Sequence, residues 1–161
     1  MEIREIARER EFLCYQIAKI KTEIKRLVHI LFPEITPYIF SKSILKLLSF
    51  YPSAHSIANA NQKIKKLLKR KITLSPEKII HMAKNSIGIQ NTAFEIVLKT
   101  QINMLFATKK TYDKITKTLI NIVKIKFSEE LPILTSIKGI DIISAAHFLA
   151  EIGNIEKFFF S

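Results

Sequence analysis

The sequence predicts an all-α fold. Apolar residues recur at alternating steps of three and four along two long stretches, which is helical periodicity. Only three glycines and no tryptophan stand in a chain that is 48% hydrophobic, a composition unlike a disordered or β-rich protein. Helix start and stop signals punctuate the segments between the two stretches.

The first helix follows Ile3, Ile6, Leu13, Ile17, Ile20, Ile24, Leu27 and Leu31, with Arg10 in the one gap. That spacing is a heptad seam. The helix is expected to end near Phe32, because Pro33 and Pro37 cannot continue it. Ser43 to Phe50 reads as a short helix stopped by Pro52, and Ser53 to about Arg70 as another. Ser75-Pro76-Glu77 opens a third, with a cap, a proline in the first turn and an acid near the dipole. That helix is expected to reach Ile87 and stop at Gly88.

A second seam runs through Phe94, Leu98, Gln101, Leu105, Thr108, Tyr112, Ile115, Leu119 and Ile122, with a capping box at Thr92-Ala93-Phe94-Glu95. Each long helix would span about 50 Å. Pairing them buries both seams, so the expected architecture is a long antiparallel coiled-coil arm over residues 1–126 with a small helical head at 41–88. A parallel dimer through either helix is the competing arrangement. Residues 127–161 form a separate C-terminal element.

Net charge is +12, unevenly spread. Residues 61–126 carry 15 basic and 3 acidic side chains, whereas residues 127–161 carry 2 and 5. The middle is therefore the region suited to a polyanion. The single Cys14 cannot form an internal disulfide, the start is charged, and no apolar run approaches the roughly 20 residues that span a bilayer. A cytoplasmic protein without membrane partners is expected.

Two stretches are candidate nucleic-acid contacts. Lys63, Lys65, Lys66, Lys69, Arg70 and Lys71 form a basic run with no acid, and Ile64, Leu67 and Leu68 share one helical face opposite the cations. Such a face suits a phosphate backbone through counterion release. A solvated lysine-rich surface explains the same residues. The second stretch is Ile133 to Ile155, where an apolar segment meets a turn at Gly139 and a short alanine-containing helix follows. This is the outline of a helix-hairpin-helix, whose turn and helix N-terminus grip phosphate without reading sequence. Ile137 and Ile140 would anchor it, Lys138, Gly139 and Ser144 would face the phosphate, and Ala145 and Ala146 would allow close packing. An ordinary helix corner also uses glycine, and Asp141 fits an N-cap for the helix from Ile142.

Catalytic groups do not emerge. His29, His55, His81 and His147 stand in no metal-ligand spacing, and no paired carboxylates suit a two-metal site. Cys14 reads as packing or surface, not as a nucleophile.

The hairpin block, with Ala150-Glu151-Ile152-Gly153-Asn154-Ile155 and Phe158, resembles the insertion-sequence 110 family of transposases. So do Arg10-Glu11-Phe12, Ile35-Thr36-Pro37, Ser43 to Leu48 followed by Tyr51-Pro52, and Ala83 to Gly88, in the family's order. Lys138 stands where the family has proline and Asp141 where it has a second glycine. The resemblance implies a DNA recombinase with an acidic RNase-H-like domain, a coiled-coil arm and a C-terminal domain bearing a nucleophilic serine. On this pattern the chain begins after the acidic domain and ends before the serine. Residues 127–161 would then be an incomplete C-terminal domain, and no catalytic residue maps onto this sequence. The family's divalent metal belongs to the absent N-terminal domain, so no cofactor is implied here. The implied partners are DNA, with a guide RNA as in well-studied members, and a second copy through the arm. The alternatives are a non-catalytic coiled-coil interaction protein and a helix-hairpin-helix accessory factor.

Overall fold

The computed structural model describes residues 2–68 and 74–153, and every regular element among them is helical. In order these are α1 (Glu2–Leu31), a 3-10 turn (Pro33–Tyr38), α2 (Lys42–Phe50), α3 (Ala54–Asn59), α4 (Asn61–Leu67), α5 (Pro76–Lys84), α6 (Thr92–Lys126), α7 (Glu130–Ser136) and α8 (Ile142–Ile152). The chain forms two compact units, one of residues 18–107 and one of residues 1–17 with 108–161. Both long helices contribute to each.

In the unit of residues 18–107, the end of α1 is almost wholly apolar on one side. Ile24, Leu27, Val28, Leu31 and Phe32 have no exposed surface. The proline at 33 stops the α-helix but not helical winding, and the chain turns through a 3-10 segment that buries Ile35. Ser41 caps α2 by accepting from the Ile44 N–H, and α2 buries Ile44, Leu45, Leu47 and Leu48. Ser53 and Ser56 form a reciprocal capping box at the start of α3. Helix α5 packs against α3, α4 and the 3-10 turn.

Four local expectations change here. The helix expected from Ser53 to Arg70 is broken at Ala60 into α3 and α4, and residues 69–73 lie outside the described residues. Helix α5 ends at Lys84 with Asn85 as its C-cap. Gly88 is therefore not a helix stop. Its role is close approach: a Cβ there would lie 2.3 Å from the Leu31 carbonyl oxygen. Finally, α6 is capped by Asn91, whose side chain accepts from the Phe94 N–H at 3.0 Å, one residue before the expected box.

Glu34 fastens the segment after α5. Its carboxylate accepts from Ser86 Oγ at 2.6 Å and from the Ile87 N–H at 3.1 Å. The Ile89 N–H then donates to the Ile30 carbonyl at 3.0 Å. Partial burial works against ionisation of Glu34, and these hydrogen bonds outweigh it, so the carboxyl sits below its usual pKa.

In the other unit, Ile3 and Ala7 of α1 share a core with Leu119 and Val123 of α6, Phe127, Leu131 of α7, and Ala145, Ala146, Leu149 and Ala150 of α8. This core crosses the boundary expected at residue 126. The alanines let α8 lie close, and all four of its core residues are 5% exposed or less. Within this unit Arg10 of α1 meets Tyr112 and Thr116 of α6.

Gly88→Ala tests the close approach. The added methyl meets backbone, not a side chain that could swing aside. A loss of about 2 kcal/mol is expected, within the range for overpacking. Urea unfolding should show a lower midpoint with an unchanged slope.

Candidate nucleic-acid interface

The Gly139 turn is built locally. The Ile140 N–H donates to the Ile137 carbonyl at 3.1 Å, closing a β-turn over Lys138 and Gly139. Gly139 has φ +97°, which the third residue of a type II turn requires and side-chain-bearing residues rarely adopt. Nothing lies within 4 Å of a Cβ placed there, so backbone conformation alone demands the glycine. Lys138, Gly139 and Ser144 are exposed. Ile140 packs partly against the core, but Ile137 is 51% exposed and does not anchor the turn as expected.

Asp141 is the N-cap of α8 and accepts from the Ser144 N–H at 2.7 Å. That hydrogen bond, with further help from the Ser144 hydroxyl, holds its carboxyl below the usual range. A charged carboxylate therefore stands at the helix start and takes the Ser144 N–H, a donor that a phosphate would otherwise meet.

The basic run lies in the other unit. Lys63, Lys65 and Lys66 are exposed on α4 while Ile64 is fully buried, as the spacing predicts. Lys65 is already paired, with its Nζ 3.4 Å from Glu77 at the start of α5. Lys69, Arg70 and Lys71 fall outside the described residues.

A stronger basic feature lies on α6. Lys110, Lys114, Lys117 and Lys124, with Asn121 among them, are exposed along one helical face. The face opposite carries Tyr112, Ile115, Leu119 and Ile122, and Leu119 is fully buried. The four lysines span about 21 Å of helix at 1.5 Å per residue, and none forms an ion pair among the described residues. The signal was present in the sequence as lysines set half a turn from the second seam. It is obscured because α6 as a whole is dominated by its apolar pattern and its lysines are less densely placed than those at 63–71.

Arg10 organises the polar part of this unit. Its guanidinium donates to Thr116 Oγ1 at 3.1 Å and to the Tyr112 hydroxyl, and stacks 4.8 Å from the Tyr112 ring centroid. It also lies 3.0 Å from His147 Nε2. A guanidinium can only donate, so Nε2 must be the acceptor and the imidazole proton sits on Nδ1. Nδ1 faces Glu11 Oε1 at 3.5 Å. Nearby, Arg4 and Arg8 pair with Glu151 at 3.1 and 3.2 Å, and Arg4 also donates to the Glu151 carbonyl near the end of α8.

Among the described residues no group of three or more His, Cys, Asp or Glu is placed to hold a metal ion. No described helix is long and apolar enough to cross a membrane. Comparison with protein-family models, curated proteins and solved structures finds no match.

His147 predicts a pH dependence. Burial lowers its pKa first, and the Arg10 charge lowers it further, against smaller opposing effects of Glu11 and Glu151. A histidine depressed in the folded state stabilises fully above its unfolded value, about 6.5. That contribution is lost as pH falls through 6.5 towards the lower folded value. Chemical denaturation at pH 7.5 and 5.5 should show a decline in stability that His147→Gln diminishes.

Proposed function

We propose that this chain is a nucleic-acid-binding and self-associating part of a DNA recombinase of the insertion-sequence 110 kind, inactive in strand cleavage by itself. The observation that carries the binding reading is the stripe of Lys110, Lys114, Lys117 and Lys124, exposed and without ion pairs among the described residues. Cations at such spacing neutralise successive phosphates and release counterions, giving affinity without sequence selectivity. The exposed Lys63 and Lys66 of α4 add to it. The recombinase assignment is supported by the order of motifs in the sequence, and the coiled-coil arm and helix-hairpin-helix belong to that assignment.

A second reading has its own support. Ile96, Val97, Met104 and Phe106 of α6 are exposed apolar side chains, and Asp141 makes the Gly139 turn a poor host for phosphate. Both features favour a protein-interaction role with lysines serving solubility.

Salt titration separates the two. Binding to a labelled DNA duplex should weaken linearly on a log–log plot as salt rises. Replacing all four stripe lysines by Gln should reduce the slope by about 3–4 with helicity unchanged. No binding at low salt favours the interaction protein. Cleavage of element-end DNA by the chain alone overturns the inactive assignment.

Asp141→Asn probes the turn. Asparagine keeps a capping oxygen but removes the charge. If the turn contributes to binding, duplex affinity at low salt rises several-fold. Unchanged affinity assigns residues 137–144 to an ordinary helix corner.

A further inference from the structure

Within the unit of residues 18–107, a surface pocket of about 510 Å³ opens beside the 3-10 turn. Its walls are Lys25 of α1 and the continuous segment Thr36 to Ser41. The volume lies within the range of small-ligand sites, about 300–1,000 Å³. Two aromatic rings, Tyr38 and Phe40, stand in the wall, and Phe40 is 41% exposed. No acidic residue lines the pocket. Lys25 is exposed and has no ion pair among the described residues. Lys21 adds a second cation, its Nζ 5.5 Å from the Phe40 ring centroid.

One polar group in the wall is unanswered. Thr36 Oγ1 is buried and has no hydrogen-bond partner, the one such side-chain atom among the described residues. A buried hydroxyl left without a partner costs stability unless something completes it.

We propose that this pocket takes a single unstacked nucleotide of a single-stranded nucleic acid. The base lies against Phe40 and Tyr38, and the flanking phosphates meet Lys25 and Lys21. Aromatic rings beside unpaired lysines are what a single strand requires, because its bases are free to stack and its backbone still carries charge. A paired duplex keeps its bases stacked inside and offers such a pocket only phosphate. The proposal rests on the nucleic-acid reading above and adds the strand state and the subsite.

The test compares the full chain with Phe40→Ala and Lys25→Gln, binding a fluorescein-labelled 15-nucleotide oligothymidylate and the matching duplex at low salt. Both side chains are exposed, so circular dichroism should show unchanged folding. Each variant is expected to weaken single-strand binding about five- to tenfold while leaving duplex binding within twofold. Phe40→Trp should retain single-strand affinity. Duplex and single-strand binding that both match the unsubstituted protein overturn the pocket and leave the lysine-stripe reading standing. An equal loss for both substrates also overturns it, assigning the residues to general electrostatics or structure. No binding of either substrate by the unsubstituted protein overturns the nucleic-acid reading itself, and the pocket with it.

Discussion

One constraint orders this chain: α1 carries apolar side chains from its first turns to its last that must be buried, with Arg10 the one interruption. Its first turns give Ile3 and Ala7 to one core, and its last turns give Ile24, Leu27, Val28 and Leu31 to another. Each fully buried aliphatic side chain contributes about 1.5–3 kcal/mol relative to exposure. No short helix of six to eleven residues could be stable in isolation. Helices α7 and α8 find apolar surface on α1 and α6, and α5 packs against α3, α4 and the 3-10 turn. Four of the described short helices lie between the two long ones in the chain and two follow α6.

Polar contacts then specify which arrangement forms. Arg10 replaces an apolar residue in the seam, and its guanidinium is met by Thr116, Tyr112 and His147 from two different helices. A half-buried cation with so many fixed donors tolerates few registers, since a shift of one turn would leave them unmade. Glu34 acts similarly in the unit of residues 18–107. Its carboxylate holds Ser86 and Ile87 beside the end of α1, where Gly88 lets the chain pass against the Leu31 carbonyl. These contacts join residues far apart in sequence, so they reward the finished fold and nothing earlier.

The same division of faces prepares the surface for its proposed work. Once α6 commits Leu119 to a core, the helix has only its far side to give to Lys110, Lys114, Lys117 and Lys124. The Gly139 turn differs, for the anion at its helix start is Asp141, supplied by the chain itself. Positive helix faces and a self-capped turn together favour recognition by lysine over recognition by backbone amides.

Helical class, the extents of α1 and α6 and most of their buried positions were legible in the sequence, since 3.6-residue periodicity and proline stops are local properties. The Asp141 cap and the alanine contacts of α8 were legible for the same reason. The basic run at 63–71 was visible as charge, but its pairing with Glu77 through Lys65 was not. Nor were the break at Ala60, the exposure of Ile137, the approach of Gly88 to Leu31, or the pocket at Thr36 to Ser41. By itself, then, the sequence determined which faces are apolar and roughly where the two long helices begin and end. Only the tertiary structure decided which faces meet, because a contact between distant residues depends on the position of both and leaves no periodic trace in either.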